Sequence, residues 1–263
     1  MNVSRIALKG GALVAAFALL PGAKGGCGSK EANETLASPV QGIGMIIERA
    51  DGTVGARLVV ISTNDRDTRF ADAVDDPTVR SGEVGPIALP AADAGQFAID
   101  SSREPSLRYV AGDTYQFRFG LDDGGLAGDF AGREFVGVVD APDDAVSFQV
   151  TEAPAFAGDT AELSWAPAAR FGLVTVRDAS GAVTYTTFDL THPEFDGSKW
   201  GRLKAGGKIQ LSVDTFPTAG TYTLSVCPVV KVSDFDKSLS ASLGVLSGLL
   251  AGRCAPDQTL EVP

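Results

Sequence analysis

From Ile43 onward, apolar residues come in short runs punctuated by Gly, Pro, Asp and Asn, and almost no stretch holds a helical period before the C-terminal region. This pattern predicts strands. Met45 to Arg49 and Val54 to Ser62 flank Asp51-Gly52, a pair suited to a tight turn, so the first two strands should form a hairpin. Further strands are predicted at Gln96 to Asp100, Leu107 to Val110, Thr114 to Gly120, Arg133 to Asp140 and Val146 to Val150. A second series follows at Glu162 to Trp165, Gly172 to Arg177, Val183 to Asp189, Lys208 to Val213, Tyr222 to Val226 and Thr259 to Val262. Within Thr114 to Gly120, Tyr115, Phe117 and Phe119 alternate with Thr114, Gln116 and Arg118, which gives that strand one core face and one solvent face.

Between Val232 and Gly252 the period changes. Leu239, Leu243, Leu246, Leu249 and Leu250 fall on one helical face, and a helix is expected at about 236 to 251, with Gly252 ending it. Gly244, Gly248 and Gly252 add a ridge of small residues. The strand pattern restarts around Ala141 to Pro154. The expected organisation is a β-sandwich over 43 to 145 and a second over 146 to 263 that carries the helix. The fold class is therefore all-β: two tandem antiparallel sandwiches with a short C-terminal helical insertion.

The N-terminal 26 residues have a different character. Arg5 and Lys9 precede an apolar run from Gly10 to Leu20, which is shorter than the roughly 20 residues a membrane span needs. This is the pattern of a cleaved export signal. Residues 28 to 42 are polar and small, as in a flexible tether. The apolar run, the small residues Gly25 and Gly26, and then Cys27 resemble the signal of bacterial lipoproteins. In that family the matching cysteine is acylated and becomes the mature N-terminus. Lys24 stands where the family has an aliphatic residue, and ordinary cleavage between Ala23 and Gly26 is the alternative. Acylation of Cys27 would leave Cys227 and Cys254, of three cysteines in all, to pair with each other.

An internal echo links the two strand series: AGDTYQF at 111 to 117 and AGTYTLS at 219 to 225 align Gly, Thr and Tyr. In these residues the chain resembles immunoglobulin-like and fibronectin type III-like sandwiches. The resemblance implies that Tyr115 and Tyr222 act as corner tyrosines, burying the ring and bonding the hydroxyl to an earlier loop, with Trp165 between the sheets. Cys227 lies five residues after Tyr222 and Cys254 lies in the tail, so the antibody-type disulfide across the sandwich is absent.

Charge narrows the partners. The chain carries 22 basic and 33 acidic residues, a net charge of -11. Removing residues 1 to 26 deletes Arg5, Lys9 and Lys24 and no acid, which moves the charge to about -14. Such a field repels nucleic acid and anionic membrane surfaces, so membrane contact is expected through the lipid anchor alone. Paired acids such as Asp75-Asp76 and Asp143-Asp144 lack the spacing of a calcium loop. The single histidine, His192, and three separated cysteines do not make a familiar zinc site, and there is no Gly-x-Ser-x-Gly, P-loop or dinucleotide fingerprint. No cofactor, metal or catalytic residue is expected.

The loop Asp196-Gly197-Ser198-Lys199-Trp200 is the candidate contact site, because an exposed indole flanked by Asp196 and Lys199 can stack on a sugar. The leading expectation is a non-enzymatic, lipid-anchored envelope protein that contacts another envelope protein or a polysaccharide. It would sit at the outer membrane or cell surface if Cys27 is lipidated, and in the periplasm or medium otherwise. The alternatives are a carbohydrate-binding accessory module built on Trp200 and an unrecognised carboxylate-based hydrolase, which needs two acids in one cleft.

Overall fold

The computed structural model describes residues 40–64, 67–70, 74–93, 95–121, 134–187, 203, 205–232 and 248–263. The strands of the first half are β1 (Val40–Glu48), β2 (Val54–Asn64), β3 (Asp67–Phe70), β4 (Val74–Arg80), β5 (Ile87–Ala88), β6 (Ala91–Asp93), β7 (Gln96–Asp100), β8 (Thr114–Leu121) and β9 (Glu134–Asp140). Those of the second half are β10 (Ser147–Glu152), β11 (Ala161–Ala166), β12 (Phe171–Arg177), β13 (Val183–Thr186), β14 (Lys208–Leu211), β15 (Gly220–Val232), β16 (Gly248–Arg253) and β17 (Gln258–Val262). A 3-10 turn at Val213–Thr215 follows β14.

The first hairpin forms as its turn chemistry dictates. Glu48 pairs with Val54, Gly52 takes φ +81°, and the Thr53 N–H donates to Asp51 Oδ1 at 2.8 Å. Only glycine adopts that left-handed backbone without strain. The Leu107 to Val110 segment is not a strand, although Leu107 and Tyr109 are buried. Its backbone serves a tyrosine hydroxyl instead of a ladder.

One ten-stranded sheet is shared by the two halves of the chain. Its main path runs β13-β12-β15-β16-β1-β2-β7-β6, with β17 paired to β15 and β3 to β2. A four-stranded sheet, β5-β4-β8-β9, and a three-stranded sheet, β10-β11-β14, complete the layers. The four-stranded sheet supplies Tyr115, Phe117, Phe119 and Phe135 to a first core, which Ile46, Leu58 and Leu249 of the shared sheet enter from the other side. Phe148, Leu163 and Trp165 of the three-stranded sheet meet Val174, Tyr222 and Leu224 in a second core.

The long strand β15 spans both. Tyr222, Leu224 and Val226 belong to the second core, whereas Val230 and Val232 pack against the first. These even-numbered residues share one face of the strand. On the opposite face, Val229 joins Ile43, Val59, Leu203 and Leu250 in a third apolar cluster.

The expected helix at about 236 to 251 is corrected where the structure describes it. Residues 248 to 253 form β16, which runs parallel to β1 and antiparallel to β15, and residues 233 to 247 lie outside the described residues. Leu249 and Ala251 face the first core while Leu250 faces the third cluster, so every residue from Gly248 to Gly252 is buried. A strand buried on both faces reads as a continuous apolar run, which periodicity cannot separate from a buried helix. Gly252 belongs to the same correction: a Cβ there would lie 2.5 Å from the Pro228 carbonyl oxygen and 2.8 Å from a Val229 methyl. It is a site of close strand approach and not a helix end.

Candidate functional site

The reverse face of the shared sheet holds the candidate site. Strand β15 changes partner along its length, pairing with β16 from Val229 to Val232 and with β17 from Gly220 to Leu224. At this fork Cys227 and Cys254 form a disulfide across 27 residues of sequence. The Cys254 N–H donates to the Glu48 carbonyl at 2.7 Å, which ties the turn after β16 to the end of β1. The Arg253 guanidinium completes the tie, 2.7 Å from Glu48 and stacked over the Tyr109 ring at 4.9 Å.

An open cleft of about 580 Å³ lies beside this fork. Met45, Ile47, Leu173 and the Cys227 to Cys254 bridge give it apolar walls. Arg49, Arg57, Arg103 and Arg177 also line it, with Thr175 and Ser225 between the charges. Register explains the convergence. Met45 stands opposite Arg57, which stands opposite Ala98, and Leu173 stands opposite Cys227 while Thr175 stands opposite Ser225. These pairs project from one side of the sheet.

Two of the three acids that line the cleft, Asp51 and Asp100, accept hydrogen bonds within their own turns. Asp51 is held below the usual carboxylate range chiefly by the Thr53 N–H. Asp100 is lowered chiefly by the Ser102 hydroxyl, with the N–H groups of Ser102 and Arg103 at 3.1 and 3.3 Å adding to it. A general acid for glycoside hydrolysis needs the opposite shift. Among the described residues, no cluster of three or more His, Cys, Asp or Glu side chains is arranged to hold a metal ion.

Cys227 and Cys254 thus meet as the spare-cysteine reasoning anticipated. Cys27, Asp196, Lys199 and Trp200 lie outside the described residues, as does His192. Sequence reasoning missed the arginines, which are separated by up to 128 positions. Each stands singly among strand or turn residues, and only the pairing register collects them.

Both tyrosines behave as corner residues. The Tyr115 hydroxyl donates to the Arg108 carbonyl at 2.5 Å and accepts from the Val110 N–H at 2.8 Å. The Tyr222 hydroxyl donates to the Thr218 carbonyl at 2.8 Å. Trp165 is buried in the second core and its indole N–H donates to the Arg170 carbonyl at 3.0 Å.

No family model and no curated protein matches the chain. Solved structures with which it aligns include native alpha-2-macroglobulin from Escherichia coli spanning domains MG0-NIE-MG1, 12% identical over 89% of this chain and 74% of that one, with a TM-score of 0.24. The FN1-FN3 domains of chicken CNTN1 align at 10% identity over 85% of this chain and 68% of that one, with a TM-score of 0.25. Murine CEACAM1b aligns at 10% identity over 85% of this chain and 98% of that one, with a TM-score of 0.20. The sheets define the class: an all-β protein of packed β-sandwich layers, each half of which carries a corner tyrosine. No helix among the described residues is long and apolar enough to cross a membrane.

Proposed function

We propose that this is a non-enzymatic contact protein of the cell envelope, exported by residues 1 to 26 and held to a membrane by a lipid on Cys27. Residues 27 to 39 serve as the tether, shorter than the expected 27 to 42 because Val40 to Gly42 already pair with β2, and the bodies that follow, up to 145 and from 146 to 263, form the rigid display unit, the second lending β16 to the sheet of the first. The observation that carries the reading is the shared sheet, which fixes the two sandwiches together and leaves a shaped cleft on its reverse face. Rigid preformed surfaces bind partners with little ordering cost. The Cys227 to Cys254 bridge fits an oxidising compartment.

The test has two parts. Intact mass of the protein from its native envelope, with the N-terminal peptide sequenced, should show an acylated Cys27. A photo-crosslinking residue placed at exposed Arg103 or Phe156 should yield a discrete adduct in the native envelope. An unacylated N-terminus removes the anchor, and absence of any adduct from either position removes the contact role.

A further inference from the structure

The two halves of the chain meet in the shared sheet at a single strand. In the path β13-β12-β15-β16-β1-β2-β7-β6, the strands from β13 to β15 belong to the second half and those from β1 to β6 to the first. Among the described strands, β16 alone carries the ladder from one half to the other. It runs parallel to β1 from Gly248 to Arg253 and antiparallel to β15 from Leu249 to Gly252. Leu249 and Ala251 reach the first core and Leu250 the third cluster, so the strand cannot leave without opening both.

The C-terminal end of β16 is fastened to both halves. The Cys254 N–H on the Glu48 carbonyl and the Arg253 guanidinium beside the Glu48 carboxylate tie it to β1. The Cys227 to Cys254 bridge and the Ala255 N–H, which donates to the Val226 carbonyl at 3.0 Å, tie it to β15. Of these links only the bridge is broken by redox chemistry. Gly248 to Gly252 are buried, whereas both bridging residues are half-buried and line the open cleft beside the fork. A dissolved thiol therefore has a route to the bond while β16 is still in place.

The bridge also decides how much the chain gains by opening. Strand β17 pairs with β15 from Gln258 to Val262, so β16 and β17 lie on either side of Cys254. With the bridge closed, a segment that came loose would stay pinned at Cys254 and gain little conformational entropy. Once the bridge is open, the two strands are held by their ladders and packing alone and are free to leave as one unit.

We propose that the Cys227 to Cys254 bridge is a redox-sensitive latch: a dithiol reductant opens it in the folded chain, and β16 and β17 then detach together, which opens the joint between the two halves. A thiolate of the reductant attacks one sulfur of the bridge, and the other cysteine sulfur leaves as a thiolate and takes up a proton. The second thiol of the reductant then resolves the mixed disulfide. The bridge ends as a pair of thiols and the reductant as a disulfide. The inference stands apart from Cys27 and from the contact role.

The experiment is amide hydrogen exchange of the full-length chain before and after dithiothreitol in native buffer, with thiols counted by N-ethylmaleimide. Reduction without denaturant should add a pair of labelled thiols. In the oxidised chain, peptides covering 248 to 262 should exchange in step with those covering β8 and β11. In the reduced chain they should exchange about tenfold faster than those references, as expected of a local opening. Reoxidation should restore the first pattern, and replacing both cysteines by serine should reproduce the second. The reduced parent decides the matter if that double variant does not fold. A bridge that is reduced only in denaturant overturns the proposal. So does a reduced chain in which 248 to 262 stay in step with β8 and β11, because the bond then stabilises the whole fold without gating the joint.

Discussion

Tyr115 and Tyr222 hold the same station in the two sandwiches: each ring is fully buried, and each hydroxyl returns to backbone a few residues upstream. Each is preceded by a glycine at positive φ, Gly112 at +80° and Gly220 at +143°. The echo between AGDTYQF and AGTYTLS is thus a repeated structural device. Tyr115 both donates to Arg108 and accepts from Val110, so Tyr115→Phe leaves two backbone groups without that partner. Tyr115→Phe should cost about 1 to 3 kcal/mol. Tyr222→Phe removes the bond to the Thr218 carbonyl and longer contacts to the same residue, and should cost less. Urea denaturation of both variants checks the order.

The disulfide at the fork of β15 closes a loop of 27-residue separation. The chain-entropy model gives about 3.5 kcal/mol for such a closure. Replacing both cysteines by serine should lower the unfolding free energy by about that amount, and reduction of the parent should match the double variant. A loss below about 1 kcal/mol would mean that the β15–β16 ladder and the Cys254 to Glu48 backbone bond constrain the loop without the bridge.

The structure explains which parts of this architecture were legible. Strands with one wet face announced themselves: Thr114–Leu121 alternates buried and less buried residues without a break, and its predicted and observed bounds differ by one residue. Turn chemistry was equally readable at Asp51-Gly52. Strands buried on both sides were not, because β16 has no polar face to create a period of two. Strand β4 was missed for the opposite reason, since Val74–Arg80 contains two aspartates and a proline and its ladder to β8 shifts register between Asp75 and Thr78. The disulfide followed from counting cysteines, whereas the arginine-lined cleft depends on long-range register that no local pattern carries.

Gly252 separates the strand from the helix that the leucine spacing suggested. At a helix end, Gly252→Ala is tolerated or mildly costly. In β16 the added methyl meets the Pro228 carbonyl oxygen at 2.5 Å and the Val229 backbone at 2.9 Å. The variant should lose about 1 to 3 kcal/mol, in the range of overpacked cores. Leu249→Ala, which empties part of the first core, should cost about 2 to 5 kcal/mol. Thermal unfolding of both, with Arg118→Gln as a surface control, tests the assignment.

Acid stability provides the last test, through Asp100. Its carboxylate accepts from the Ser102 hydroxyl and from the N–H groups of Ser102 and Arg103, which lowers its pKa in the folded chain. A depressed folded pKa means that the unfolded chain binds the proton more readily as pH falls. The stabilisation is therefore fully present above the unfolded value near pH 3.9 and disappears as pH drops through the lower folded value. Asp100→Asn keeps a carbonyl acceptor for the same N–H groups but cannot titrate. The melting temperature of the variant should fall less steeply than that of the parent between pH 5 and the lowest pH at which both stay folded. Asp51→Asn should act in the same direction, because Asp51 is lowered by the Thr53 N–H in the hairpin turn. Parallel acid limbs for parent and variants would show that these turn carboxylates have the same pKa in the folded and unfolded chain.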